Sequence, residues 1–214
     1  MVQKVLQIAL VISSLMMPSL TLAKKTYPYG VEFSGDGTFY GAVSPGDGHC
    51  AIEDPLPDMY HGMIPMAVSL DGMYDSSMIC GACIEGTGTG GGNGRTPIKG
   101  KFKGFVSDSC PECSQGDLDF AKGGDGRWDI TWRFVECPGG GKPSFIFEGS
   151  NKYYWKLQGR GTKSPVTELH VNGKPAKKTI DNFFEATEGA PFNGRQYVET
   201  TTLLGDTEGT YVSL

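Results

Sequence analysis

Six cysteines constrain the fold of this chain more than any other feature, because none of them lies beyond residue 137 of 214. They are Cys50, Cys80, Cys83, Cys110, Cys113 and Cys137. In an exported chain an even number of cysteines predicts disulfides, and six allow fifteen pairings. Two pairs have the CxxC spacing, CGAC and CPEC, which also occurs in zinc sites and redox pairs. Because exported thiols oxidise, three disulfides in the first part of the chain are the favoured interpretation.

The first 23 residues are typical of a secretory signal. They carry one positive charge at Lys4, an apolar run from Val5 to Met17 and a small-residue end at Thr21 to Ala23. This run is too short and wrongly flanked for a membrane span. Cleavage after Ala23 would leave a chain that begins at Lys24. The sequence therefore predicts a secreted, extracellular protein that does not reside in a membrane.

Composition predicts an all-β chain of two domains. Glycine accounts for 32 of 214 residues and aromatic residues for 11%, while helix-forming runs are scarce. Residues 24–137 contain 9 basic and 16 acidic residues, against 9 and 8 in residues 138–214. The acidic first part argues against a nucleic-acid partner. PGGGKP at 138–143 is interpreted as a short linker between domains 24–137 and 144–214.

Asp119 is the candidate acid of the first domain. It lies between the apolar residues Leu118 and Phe120, and both desolvation and nearby acids such as Asp108 would favour its protonated form. A carboxyl group tuned in this way can act as a general acid. The alternative is that Asp117 or Asp119 caps a short helix beginning at AKGG, which would lower the pKa instead.

Strand patterns surround this acid. GTFYG indicates a strand that carries Thr38 and Tyr40. Alternation in WDITWRF places Trp128, Ile130 and Trp132 on one face of another strand, and this face either packs in the core or lines a groove. The GxGxxG match at Gly86–Gly91 is weak, and a strand beginning at Met78 followed by a polar hairpin is expected there. Six short strands without cysteine predict a β-sandwich after residue 143.

The first domain resembles that of the expansins and of small endoglucanases that share a double-psi β-barrel. The resemblance rests on VSD at Val106–Asp108, CPEC, LDF at Leu118–Phe120 and W.ITWRFVEC ending at Cys137. It implies a six-stranded barrel in which Asp119 is the residue required for wall loosening and Asp108 supports it. It also implies that Thr38 and Tyr40 line the groove. The disulfides it implies are Cys50–Cys80, Cys83–Cys137 and Cys110–Cys113.

The related endoglucanases carry a catalytic base where this chain has Gly41. An inverting glycosidase needs an acid and a base roughly 6.5–9.5 Å apart. Asp36 and Asp47 are close in sequence, but aspartate is common in such glycine-rich turns. The sequence therefore predicts no hydrolysis and no cofactor or metal.

The second domain resembles the expansin cellulose-binding module of immunoglobulin-like architecture. The resemblance implies that Tyr153 and Tyr154, with Trp155 and Phe183, bind the polysaccharide, although Asp181 occupies the third aromatic position. Alternation would place Tyr153 and Tyr154 on opposite faces unless a bulge or a strand edge intervened. The expected function is loosening of cell walls by a monomer that binds cellulose and other wall polysaccharides. The alternatives are a weak endoglucanase, a single-aspartate lytic transglycosylase and a non-catalytic barwin-like wall protein.

Overall fold

The structure is a computed structural model that describes residues 29–44, 46–52, 55–74 and 76–214. The predicted signal over residues 1–23 lies outside these ranges and stays a prediction. Within the described ranges, no helix has the length and apolar character that crossing a bilayer requires.

The first six strands form a closed barrel, as predicted. The strands are β1 Phe33–Phe39, β2 Ile64–Ser69, β3 Cys83–Asn93, β4 Lys99–Cys110, β5 Leu118–Phe120 and β6 Arg127–Val135. They neighbour one another in the order β1-β5-β2-β4-β3-β6, with parallel pairing in β1·β5 and β2·β4. Two short helical turns, Asp58–Tyr60 and Leu70–Tyr74, flank β2. The barrel thus positions β1 and β5 side by side.

Every second side chain of β6 packs inside the barrel. Trp128, Ile130, Trp132 and Phe134 are buried, while the residues between them face outward. The Trp132 indole N–H donates to the Gly116 carbonyl at 2.7 Å. Both tryptophans therefore belong to the core, and neither is left to line a groove.

The glycine-rich stretch is a barrel strand followed by a hairpin. A Cβ on Gly86 would lie 2.3 Å from the Phe102 ring, so only glycine fits where the strand crosses the core. The strand was predicted over Met78–Glu85, but it starts at Cys83, because the residues before it form turns. It runs on to Asn93, so Gly86, Gly88 and Gly91 lie within the strand and not in the polar hairpin that was expected there.

Three disulfides close the barrel domain: Cys50–Cys80, Cys83–Cys137 and Cys110–Cys113. These are the pairs implied by the resemblance to expansins, so that prediction is confirmed. No cysteine of the chain remains free, so neither CxxC motif supplies zinc ligands.

The rest of the chain forms two facing four-stranded sheets. The strands are β7 Ser144–Phe147, β8 Tyr154–Arg160, β9 Val166–Val171, β10 Lys174–Pro175, β11 Lys177–Lys178, β12 Phe184–Thr187, β13 Gln196–Thr202 and β14 Thr207–Val212. One sheet has the order β10-β9-β13-β14 and the other β11-β12-β8-β7. All six predicted strands are present, together with the short β10 and β11. Trp155, Leu157 and Val198 lie at the centre of the core between the sheets.

The barrel strands end at Val135 and the sandwich strands begin at Ser144. The exact domain limits stay a prediction. Hydrogen bonds also join the two parts directly: Gln158 Nε2 to Cys50 O at 3.1 Å, Arg160 to Pro55 O at 3.2 Å and Ser77 Oγ to Thr179 O at 3.0 Å. The two parts therefore contact each other through more than the linker.

Candidate functional site

Thr38 and Asp119 form the centre of the barrel site. They are register partners on the parallel strands β1 and β5, and Thr38 Oγ1 donates to Asp119 Oδ1 at 2.7 Å. Leu118 and Phe120 turn into the core, so alternation turns the Asp119 carboxyl to the barrel surface. Asp119 nevertheless keeps only 9% of its surface exposed. The carboxyl group is therefore partly desolvated at the edge of the core.

Burial raises the pKa of Asp119 above its ordinary value, as the sequence predicts. The hydrogen bond from Thr38 opposes this shift, the nearby charge of Glu112 adds to it, and Arg127 opposes it. The additional acid is therefore Glu112, in the loop closed by the Cys110–Cys113 disulfide, rather than Asp108.

The helix-cap alternative is wrong for Asp119, because it lies within a strand and bends follow it. Asp117 instead fixes the turn before β5. Its carboxylate accepts the Asp36 N–H at 2.8 Å and the Ser114 N–H at 2.9 Å. Asp117 thus has a structural role next to the site.

Replacing Thr38 with valine should raise the pKa of Asp119 further. Valine keeps the shape of threonine but removes the hydroxyl that stabilises the ionised carboxylate. The measurement is an NMR titration of the Asp119 side-chain carboxyl carbon, with Thr201→Val on the sandwich as the control. A midpoint that stayed in place or fell would contradict this account of the hydrogen bond.

Tyr40 and Asp108 lie beside this pair. The Tyr40 hydroxyl hydrogen-bonds with Ser107, and burial, then the charge of Asp108, raises the pKa of Tyr40 to about 12. Asp119 also contributes to this shift, so both carboxylates are close to the phenol. Asp108 Oδ1 accepts the N–H groups of His49 and Ser109, both at 2.8 Å. The structure therefore brings together the four barrel residues predicted from the sequence.

His49, Ser109 and Asp108 meet without forming a hydrolase triad. Ser109 Oγ lies 2.6 Å and Asp108 Oδ1 3.2 Å from the same ring nitrogen, Nδ1 of His49. A triad needs one imidazole nitrogen for the nucleophile and the other for the carboxylate. The cluster instead fixes the loop before Cys50 against β4.

The acids considered as replacement bases have other partners. Asp36 accepts a hydrogen bond from Arg127 at 2.8 Å, and Asp47 accepts the Ser44 N–H at 2.8 Å within its own turn. Gly41 has φ +99°, a backbone conformation that an aspartate rarely adopts. Backbone conformation as well as residue identity therefore disfavours a base at this position.

One group of described residues brings candidate metal-ligand atoms within 4.8 Å of one another: Cys110, Glu112 and Asp119. Cys110 is bonded to Cys113 and cannot supply a thiolate. The two remaining carboxylates are too few for a protein metal site.

The two tyrosines of the sandwich lie where β8 begins. Tyr153 belongs to the turn before the strand and is 51% exposed, while Tyr154 is the first strand residue. Because Tyr153 precedes the strand, alternation within β8 does not constrain it. The Tyr154 hydroxyl donates to Glu185 at 2.9 Å. The alternation that would separate the two tyrosines therefore does not apply across the start of β8, and their role in binding polysaccharide stays a prediction.

Trp155 and Phe183 were wrongly predicted to bind polysaccharide. Trp155 is 1% exposed and stacks on Phe192, with 4.5 Å between ring centroids. Phe183 has no exposed surface and lies beneath Lys156, whose ammonium is 4.6 Å from its ring. Lys156 also pairs with Asp181 at 2.8 Å. The residue to which the resemblance assigns the third aromatic position, Asp181, is therefore held in an ion pair.

Tyr74 is a buried tyrosine beside His49 that was missed in the sequence. Burial, followed by the charges of Asp108 and Asp181, raises the pKa of its phenol, so Tyr74 lies near an acid of each domain. The His49 ring is 6.1 Å from it. No local motif marks this tyrosine, because its neighbours come from distant parts of the chain.

Comparison with known proteins agrees with this architecture. No protein-family model matches the chain. The chain is 38% identical over 80 residues to the expansin YoaJ of Bacillus subtilis, and this match spans 33% of the chain and about a third (34%) of that relative's length. Expansin from Clavibacter michiganensis has been solved without ligand, with a TM-score of 0.64 and 22% identity to this chain. The chain has the two-domain expansin fold.

A variant of the same Clavibacter expansin was solved with cellohexaose, and its TM-score is 0.67 at 21% identity. Each Clavibacter match covers 85% of this chain and 90% of the solved chain. The resemblance to expansins and the predicted double-psi barrel followed by a β-sandwich are thereby confirmed.

Proposed function

We propose that this chain is a secreted expansin that binds cellulose and other wall glucans and loosens their non-covalent contacts without hydrolysis. One observation carries the proposal: the Asp119 carboxyl group is partly buried in the barrel site, beside Thr38. The resemblance to the endoglucanases implies a base where this chain has Gly41, and that expectation supports a non-hydrolytic function. The cellohexaose complex of the Clavibacter expansin supports a cellulose-type ligand. The predicted signal over residues 1–23 supports export to the wall.

The Asp119 carboxyl is suited to donating a hydrogen bond to a glucan oxygen. Thr38 donates to Oδ1, so Oδ2 remains as the oxygen that carries the proton. The raised pKa keeps the group protonated to higher pH than an ordinary aspartate. A protonated carboxyl can then replace one hydrogen bond that a glucan chain makes with its neighbour, and the chains can slip.

Binding to the sandwich would keep this exchange at the glucan surface. Tyr153 is exposed and Tyr154 is partly exposed at the start of β8, on the sheet whose far end contacts the barrel through Gln158. Aromatic rings offer large apolar faces on which sugar rings can stack. The hydrogen bonds that join the two parts keep these tyrosines attached close to the barrel, and a glucan chain bound there would contact both domains.

The test is the extension of a heat-inactivated cellulosic wall strip under constant load, with reducing sugar measured in the same bath. We expect the wild type to extend the strip and release no sugar. Asp119→Asn should lose at least about 90% of the extension, since an amide N–H is a weaker hydrogen-bond donor than a carboxylic acid O–H and cannot transfer its proton. Asp58→Asn is the matched control, because the Asp58 side chain is fully exposed to solvent.

Sugar release that required Asp119 would show an endoglucanase or a transglycosylase. Equal extension by wild type and Asp119→Asn would show a wall-binding module in which the carboxyl group has no chemical role. Either result would overturn the proposal.

A further inference from the structure

The flank of the barrel has a concave surface where four lysines meet. The concavity has a volume of about 330 Å³ and is lined by Lys99, Lys101, Lys103 and Lys122. Apolar side chains, Ile98 and Phe120 among them, form its remaining walls, and no acidic residue lines it. The feature is therefore a cationic hollow on a chain whose formal net charge is -5.

The lysines differ from the other basic residues of the described barrel. Its three arginines are each paired with a carboxylate: Arg95 with Asp125, Arg127 with Asp36 and Arg133 with Glu85. Among residues 29–44, 46–52, 55–74 and 76–137, the four lysines form no ion pair. Within the described part of the barrel, the positive charge that lacks a carboxylate partner is thus gathered at one place.

The geometry of β4 places three of the lysines in a row along the strand. Lys101 and Lys103 are exposed on either side of the buried Phe102, so alternation spaces them about 6.8 Å apart along β4. Lys99 lies before Gly100, which is exposed and has φ +81°, and it lines the same hollow. Glu85 is the register partner of Lys103 on β3, but Arg133 donates two hydrogen bonds to it, at 2.5 and 2.9 Å. Lys122 reaches the same hollow from beyond β5, with its ammonium 5.6 Å from the Phe120 ring.

We propose that this hollow binds a polysaccharide bearing uronic-acid carboxylates. Lysine ammonium groups are flexible point charges, which suit single carboxylates repeated along a chain. Phosphate sites generally use the arginine fork or backbone N–H groups at a helix N-terminus, and the hollow has neither. Elsewhere the acidic barrel repels a polyanion, so the lysine row determines where the polymer docks.

The hollow is separate from the Asp119 site. Asp119 and Phe120 are adjacent on β5, and alternation turns them to opposite sides of the strand. A wall chain bound at the lysines would therefore leave the carboxyl group accessible. Loss of the lysines should accordingly leave binding to cellulose unchanged.

The experiment measures binding of the full chain to polygalacturonate beads, to fully methyl-esterified beads and to polyphosphate at low ionic strength. We expect wild type to bind polygalacturonate and not its neutral ester. The triple variant Lys99→Gln, Lys101→Gln and Lys103→Gln should bind roughly tenfold more weakly, and added salt should remove the difference. The matched control, Lys142→Gln, Lys174→Gln and Lys177→Gln, has the same net charge and should bind within about twofold of wild type.

Equal losses in the two triple variants would show attraction to net charge alone and would overturn the site. Preference for polyphosphate over polygalacturonate would overturn the choice of ligand. Thermal unfolding and cellulose pull-down of each variant accompany the assay, because an intact fold with unchanged cellulose binding separates this site from the proposed wall-loosening function.

Discussion

Trp155→Ala should lower the free energy of unfolding of the sandwich by about 3–5 kcal/mol, the loss typical of truncating a buried tryptophan. The ring stacks on Phe192 and meets Phe147 edge to face, with 5.1 Å between centroids. Alanine would leave a cavity between the two sheets, which dense packing cannot close without strain. The expected result is loss of cellulose binding together with loss of the folded sandwich.

Chemical denaturation followed by circular dichroism measures this loss, and a cellulose pull-down follows binding. Trp155→Phe keeps an aromatic ring in the core and should lose much less stability. Tyr153→Ala is the contrasting surface variant, expected to keep wild-type stability while binding cellulose more weakly. If Trp155→Ala unfolded like wild type and only its binding fell, the assignment of Trp155 to the core would be wrong.

Wall extension should be greatest at acid pH and should fall about tenfold for each pH unit above the pKa of Asp119. The active form is the protonated one, and burial raises the pKa, so activity persists to higher pH than an ordinary aspartate would allow. The Asp119 contribution to folding stability also decreases as the pH rises. The folded chain binds this proton more tightly than the unfolded chain, so the Asp119 contribution to stability falls as pH rises from the ordinary pKa to the raised one.

The measurement is the extension rate of the wall strip across a pH series at fixed ionic strength. In Thr38→Val, the fall in extension rate at alkaline pH should shift to higher pH by the same amount as the Asp119 pKa measured by NMR. The residual extension rate of Asp119→Asn should not show this fall. If the fall in extension rate occurred at the same pH in Thr38→Val as in wild type, or if it persisted in Asp119→Asn, the pH dependence would belong to another group.

The barrel could be predicted in detail because its local signals agree with one another. Alternation along β6 placed Trp128, Ile130 and Trp132 on one face, and the structure shows that this face is the buried one. The disulfide pairs came from the resemblance, since spacing alone left fifteen pairings open. Local pattern and family motif together therefore gave the fold.

The errors on the sandwich have a common cause. The motif located the aromatic residues along the chain but not the residue at which the strand begins. Once β8 begins at Tyr154, alternation directs Trp155 into the core. Phe183 is covered by Lys156, which comes from another strand, and such a contact leaves no local signal.

The neighbours that tune Asp119 were also beyond sequence reasoning. Glu112 is adjacent to it only because the barrel brings the CPEC loop against β5. Asp108 had been expected to provide that charge, since it shares the central segment. The acid that raises the pKa of Asp119 is decided by distance in the folded structure, and separation along the sequence does not give that distance.

The hydrogen bonds between the domains have a mechanical consequence. Gln158 and Arg160 on β8 and Thr179 before Asp181 each join the barrel at a different point, so tension applied to the sandwich is shared in parallel. The Gln158 bond ends on Cys50, which a disulfide ties to Cys80. A force applied to the sandwich would therefore pass into the barrel through several hydrogen bonds and a disulfide-fixed loop together, and not through the segment 138–143 alone.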